Sequence, residues 1–284
     1  MNIPIEIWQL ILFHGKFRSQ IRLRCVCKLF HERLEIHDFY NIFNIYQLLS
    51  DRILQNYLFI RKLNVFGNSK VTNVNYLTKL EILNAGADCG IDNKGISDVN
   101  LKKLYIDDNH KIFNINHMNR LEILSARWNC GIDNEAISNF NLRELCVYQN
   151  PKITDVNHMN KLEILDAGGE CGINDKGIIN LNLKKLNVGC NQKITNVNHM
   201  TNLTILNADG HWCGIDNKGI ININLKELHA SYNHKITNIN HMSRLEILYG
   251  EHDCGIGDDG ISNLTNIKTL WSLGNPKITR NPCS

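Results

Sequence analysis

Five cysteines and four histidines recur on a fixed beat. Each cysteine opens a Cys-Gly-Ile phrase, at Cys89, Cys130, Cys171, Cys213 and Cys254. The histidines stand in Asn-His-Met phrases, at His117, His158, His199 and His241. Thiolates and imidazoles are the donors zinc prefers, and paired cysteines close disulfides. A ladder of metal or disulfide sites is therefore the first chemistry to weigh, and the spacing speaks against it. The phrases that precede the cysteines begin at Leu80, Leu121, Leu162, Leu203 and Leu245, 41, 41, 41 and 42 residues apart. If each period holds two strand-forming coils, cysteines of successive periods lie about 10 Å apart. A disulfide needs Cα atoms within about 7 Å, and zinc needs its sulfurs at about 2.3 Å. Cys25-Val-Cys27 is one residue short of a Cys-x-x-Cys pair, and Tyr76 takes the histidine's place in the first repeat. The cysteines read as packing residues and the histidines as repeated turn or convex-face contacts, with no metal and no cofactor. Phosphate-cradling glycine loops and the His-Glu-x-x-His zinc motif are missing as well. The remaining acids and histidines sit at repeated scaffold positions, so the chain reads as no enzyme.

The elements that carry these residues follow from a second phrase. Leu-x-x-Leu-x-apolar-x-x-Asn-x-Lys-Ile-Thr begins at Ile60, Leu101, Leu142, Leu183, Leu225 and Ile267 and alternates with the cysteine phrase. Each period thus splits into halves of 20 to 22 residues. The fourth and sixth positions of a half show the two-residue alternation of a short strand. This pattern over Ile60 to about Thr279 resembles the leucine-rich repeat. The resemblance implies an α/β solenoid of about eleven short coils, with a parallel β-sheet on the concave face. One coil cannot bury its own leucine row, and stacked coils bury it against their neighbours. Asn68, Asn109, Asn150, Asn191, Asn233 and Asn275 end the strand in one coil type and are expected to form a buried ladder. The five cysteines take the same place in the other type. After them, Asp92-Asn93-Lys94-Gly95 and its copies should start a short 3₁₀ or helical piece.

Scaffold positions repeat, so the positions that differ between coils are the candidates for a ligand face. These are the fifth, seventh and eighth of each coil. They hold Tyr105, Arg127, Trp128, Tyr148, His229, Tyr249 and Trp271, and Trp212 lies beside the one extra residue. Exposed Trp, Tyr and Arg are common anchors of protein interfaces. The variable slots also hold many acids, which disfavours a nucleic-acid backbone. The net charge of +3 gives no reason to expect an anionic partner. No apolar run approaches the ~18 residues of a membrane span, and Pro4 and Glu6 stand where a secretory signal needs basic residues. An intracellular protein with no membrane or nucleic-acid partner is expected.

The chain starts with a different periodicity. Ile7, Ile11 and Leu12 share one helical face, with Pro4 in the opening turn. After Gly15, a second helical run from Ile21 to Leu34 carries Leu23, Val26, Cys27 and Phe30 on one side. The residues Ile3-Pro4, Glu6-Ile7, Ile11-Leu12, Leu23-Arg24, Val26-Cys27-Lys28 and Phe30 resemble an F-box. Ile3 replaces the usual leucine, and the middle is shorter than the family pattern. The sequence therefore divides into an F-box-like helical segment at 1–40, a helical connector and cap at 41–59, and repeats at 60–284.

An F-box followed by leucine-rich repeats resembles the substrate receptors of cullin–RING ubiquitin ligases. That resemblance implies adaptor contacts at Ile3, Pro4, Ile7, Ile11, Leu12, Val26, Cys27 and Phe30, with a Skp1-type adaptor as partner. It implies a protein target on the concave face and a monomer outside the complex. The Asn, Ile and Lys bias and the uniform short repeats resemble the F-box/leucine-rich repeat proteins of mimivirus-type giant viruses, for which the adaptor would be the host's. The alternative is a repeat module without a ubiquitin link, whose N-terminal helices only cap the solenoid.

Overall fold

A computed structural model describes Trp8 and residues 37–40 and 48–279. The proposed adaptor contacts Ile3, Pro4, Ile7, Ile11, Leu12, Val26, Cys27 and Phe30 lie outside the described residues.

The repeats form a parallel-sheet solenoid of about eleven turns with few helices. Each coil contributes a strand of three residues, its third to fifth positions. Two compact units divide the chain: one runs to Ser125 and takes in Asn129–Gly131, and the other comprises Ala126–Trp128 and the residues from Ile132 onward. In the first unit the strands are β1 (Asp38–Phe39), β2 (Lys62–Asn64), β3 (Ile82–Asn84), β4 (Lys103–Tyr105) and β5 (Ile123–Ser125). They pair in parallel with Leu63, Leu83, Leu104 and Leu124 in register. In the second unit, β6 (Glu144–Cys146), β7 (Ile164–Asp166), β8 (Lys185–Asn187), β9 (Ile205–Asn207), β10 (Glu227–His229), β11 (Ile247–Tyr249) and β12 (Thr269–Trp271) do the same. Their fourth-position leucines, Leu145 to Leu270, are likewise aligned.

The register follows from burial. First, fourth and sixth positions such as Leu183, Leu186 and Val188 point inward and are buried. Each fully buried aliphatic side chain is worth about 1.5–3 kcal/mol. A slip of one residue would turn the whole row outward.

Every coil then reverses at its eighth residue, which takes a left-handed conformation. Glycine holds that place at Gly67, Gly169, Gly210 and Gly274, with φ of 66°, 65°, 98° and 73°. Ala87, Asp108, Trp128, Gln149, Cys190, Tyr232 and His252 adopt it with side chains, at φ between 55° and 61°. The eighth position, read from the sequence as part of the outward face, is thus the turn that ends it.

On the far side, the cysteine coils carry the short helical pieces expected there. They are 3₁₀ turns at Lys94–Ile96, Asp175–Ile178, Lys218–Ile220 and Asp258–Ile261, and one α-turn, α2, at Asn134–Ile137. An aspartate or asparagine closes four of these turns: Asp92 Oδ1 accepts from the Gly95 amide at 2.9 Å, Asp133 Oδ1 from the Ala136 amide at 3.0 Å, Asn174 Oδ1 from the Gly177 amide at 3.2 Å and Asp216 Oδ1 from the Gly219 amide at 2.9 Å, while Gly257 takes that place before Asp258–Ile261.

The sheet begins before the repeat pattern does. β1 pairs with β2, Phe39 opposite Leu63, and Phe39 is buried against Tyr57. Of the connector read as helical over 41–59, the described residues include a single helical turn, α1 (Asp51–Leu54). The described residues between 37 and 59 act as a leading coil. Leu49 O accepts from Asn68 Nδ2 at 3.1 Å, and Asp51 Oδ1 accepts from the Thr72 amide at 2.9 Å, contacts that later coils repeat.

Candidate functional site

The repeated polar residues tie coil to coil. Asn191 is buried, and its Nδ2 donates to the carbonyls of Ala167 (2.7 Å) and Ile173 (3.2 Å) in the preceding coil. Its Oδ1 accepts from its own chain at the Lys193 amide, 2.8 Å away. Asn109, Asn150, Asn233 and Asn275 make the same three bonds, and Asn68 bonds Leu49 and Lys70. The lysine two residues on reaches back as well. Lys193 Nζ donates to Cys171 O at 2.9 Å and Lys235 Nζ to Cys213 O at 2.8 Å.

Cys89, Cys130, Cys171, Cys213 and Cys254 are buried free thiols. Burial pushes the thiols of Cys89, Cys171, Cys213 and Cys254 up to about 11. Reactive cysteines need the opposite shift. Among the described residues no group of three His, Cys, Asp or Glu side chains could hold a metal ion. The histidines bond the ends of the helical pieces. A ring nitrogen of His117, His158, His199 and His241 lies 2.9–3.1 Å from the carbonyls of Ile96, Ile137, Ile178 and Ile220. In the first repeat Tyr76 Oη donates to Asp51 O at 3.3 Å and takes over the histidine's role.

What differs between coils is the outward sheet face and the turn beside it. Tyr105, His229, Tyr249 and Trp271 project from strands, whereas Arg127, Trp128, Tyr148 and Trp212 lie in the turns that follow. Sequence reasoning grouped these two sets, and the structure separates them. Tyr105 packs 6.2 Å from the ring of Tyr40. Tyr148 covers Gly168, where a Cβ would come within 2.9 Å of the tyrosine ring. The Arg127 guanidinium lies 4.7 Å over the Trp128 ring.

The rings converge in the last coils. His229 and Tyr249 stack at 4.2 Å, and Tyr249 and Trp271 lie parallel at 6.2 Å. A second row in the turns pairs Tyr232 with His252 at 4.4 Å and with His211 at 5.4 Å. His211 and His252 belong to this cluster and were not singled out as binding candidates, whereas its Asp209, Tyr232 and Glu251 stand at the variable positions read as the ligand face. His252 stands at an eighth position, the signal that also marks Tyr232, whereas His211 follows its coil's eighth residue, Gly210, and no variable position marks it. Asp209 is held above the usual carboxylate range, first by burial, with Glu251 adding to the effect.

A charge ladder runs beside the strands. Second positions alternate Arg61, Glu81, Lys102, Glu122, Arg143, Glu163, Lys184, and resume at Lys226, Glu246, Lys268 after Thr204. Salt bridges join Arg61 to Glu81 (3.3 Å), Lys102 to Glu81 (3.4 Å), Lys184 to Glu163 (2.7 Å) and Lys268 to Glu246 (2.8 Å). The bonded lysines hold Glu163 and Glu246 below the usual range.

This geometry defines a leucine-rich-repeat-like solenoid. The sequence ahead of it adds a second element, because residues 1–42 match the F-box domain. No curated protein matches the chain. Among solved structures, an internalin, InlF, from Listeria monocytogenes is similar at 19% identity with a TM-score of 0.49, over 83% of this chain and 74% of its own. The functional domain of InlJ from the same organism, which includes a cysteine ladder, is similar at 20% identity and a TM-score of 0.37, over 80% of this chain and 47% of its own. The yeast Rad7–Elc1 complex is similar at 15% identity and a TM-score of 0.42, over 98% of this chain and 92% of the matched one. None of these structural likenesses bears on function. No helix among the described residues is long and apolar enough to cross a membrane.

Proposed function

We propose that the chain is a non-catalytic adaptor, the substrate receptor of a cullin–RING ubiquitin ligase of the SCF type. One observation carries the reading: an F-box match at residues 1–42 is joined to a repeat solenoid whose variable positions hold exposed aromatic side chains. In this reading the F-box recruits a Skp1-type adaptor through Ile3, Pro4, Ile7, Ile11, Leu12, Val26, Cys27 and Phe30. The variable face, at Tyr105, Arg127, Trp128, Tyr148, Trp212, His229, Tyr249 and Trp271, holds the protein to be modified. The chain contributes proximity rather than chemistry, raising the concentration of its target beside a ubiquitin-loaded enzyme. The complex works inside a cell, and in a giant-virus setting the Skp1-type protein is the host's.

Co-expression with a eukaryotic Skp1-type protein, followed by size-exclusion chromatography, tests this. A one-to-one complex is expected, and a Pro4→Ala/Ile7→Asp/Leu12→Asp variant that keeps the wild-type circular dichroism should lose it. A wild-type chain that elutes alone would overturn the ligase reading and leave a repeat-only binding module.

A further inference from the structure

The outward face changes character over β9–β12. Its third, fifth and seventh positions there, together with the eighth-position turns that end it, contain Asp209, Glu227 and Glu251 and no lysine or arginine. The flanking Lys226 and Lys268 both act on Glu246 outside this face. Seventh-position Asp209 and Glu251 lie between the strand row His229–Tyr249–Trp271 and the turn row His211–Tyr232–His252. Glu227 is occupied by His229, whose Nε2 lies 2.7 Å from its Oε1. The carboxylate of Glu251 accepts no hydrogen bond within the described residues, whereas Asp209 accepts from the Ser231 amide at 2.7 Å and lies 4.0 Å from His229 Nδ1. Trp271 is 51% exposed and Leu273 73%. Tyr232 and His252 also hold φ of 61° and 55°, where glycine would sit more easily. The fold accepts backbone strain to keep rings at the two places that complete the second row.

We propose that this face of the last coils docks an extended protein segment through an arginine or lysine side chain, laid across the Tyr249 and Trp271 rings with its charge against Glu251 and Asp209. The chemistry is a cation over aromatic faces beside carboxylates that share their face positions with no lysine or arginine, strongest where water is partly excluded. The rest of the segment follows the turn row past Tyr232 and Trp212. The inference rests on the reading of the variable face as the protein-binding surface, and it assigns the partner's charge.

Titration of the full-length chain with the peptide acetyl-Gly-Arg-Gly-Arg-Gly-Arg-Gly-amide, by calorimetry and tryptophan fluorescence, provides the test. The matched citrulline peptide keeps the shape and removes the charge. Saturable binding of the arginine peptide is expected, at least tenfold tighter than that of the citrulline peptide. Glu251→Gln and Trp271→Ala should each weaken it about tenfold, with unfolding midpoints near that of the wild type; Glu251→Gln decides if Trp271→Ala does not fold. Equal affinity for the two peptides, no saturation, or unaltered binding by Glu251→Gln would overturn the proposal. So would a wild-type dimer that Trp271→Ala dissociates, because a second copy would then be the occupant. Co-elution with the Skp1-type protein is read on the same preparations. Adaptor binding without peptide binding sinks this inference alone, and peptide binding without the adaptor sinks the ligase reading alone.

Discussion

The asparagine coils and the cysteine coils meet the same demand by opposite means. Where a strand ends, inward-facing carbonyls of the coil before it must find donors. The asparagine coil supplies them from a side chain, as Asn191 does for Ala167 and Ile173. The cysteine coil places an apolar thiol there and brings its backbone close instead. The Gly172 amide donates to Asn150 O at 3.0 Å, and a Cβ on that glycine would come within 2.4 Å of Pro151 O. One type joins coils through polar reach, the other through the absence of a side chain. The recurrent glycine of Cys-Gly-Ile is therefore as much a ladder residue as the cysteine.

Breaking the polar side of this comparison should cost most. Asn191→Ala leaves two carbonyls and the Lys193 amide without their partner, at roughly 1–3 kcal/mol for each group that water does not reach. Chemical denaturation should show the midpoint fall sharply; a loss below about 1 kcal/mol would mean that water fills the gap. Gly172→Ala attacks the other side by forcing a Cβ against two carbonyls, and about 2–3 kcal/mol is expected from the same measurement. Cys171→Ala removes only a buried sulfur and should cost about 1–2 kcal/mol.

The ladder thiols also predict a pH dependence that the ladder asparagines cannot supply. Burial raises Cys171 from 9.0 to about 11, so the unfolded chain loses this proton before the folded one does. The stability it lends is whole below pH 9 and disappears as the pH rises through 11. Unfolding midpoints should fall between those values, and the fall should be shallower in Cys171→Ala. A smaller effect of opposite sign is expected at the turns. Gln149 sits at φ 56°, and Gln149→Gly relieves that strain against glycine's greater chain entropy, for a net gain of about 0.5 kcal/mol in thermal unfolding.

Coil positions were legible because burial of one leucine row fixes the period, and that period sets the strand register. The leading coil was hidden because Phe39 stands alone, without the leucine four-step around it. The left-handed eighth position was hidden because seven different side chain types occupy it and only Gly67, Gly169, Gly210 and Gly274 mark it in the way that turns usually are. Variation between coils pointed to Tyr249 and Trp271, yet it could not show which rings stack or that Tyr148 lies over a glycine. Those facts depend on distances across coils, which no single coil encodes. The N-terminal helices were read from matched residues such as Val26-Cys27-Lys28, and the match over 1–42 rests on that same stretch.

The alternation of charge at the second positions bears on how such a chain can change length. Deleting an asparagine coil such as that of Lys102 would set glutamate beside glutamate and stack two cysteine coils, and deleting a cysteine coil such as that of Glu163 would set arginine beside lysine and stack two asparagine coils. Deleting two coils would preserve both alternations. The molecule can therefore grow or shrink without friction only in even steps, and its size is quantised in pairs of coils.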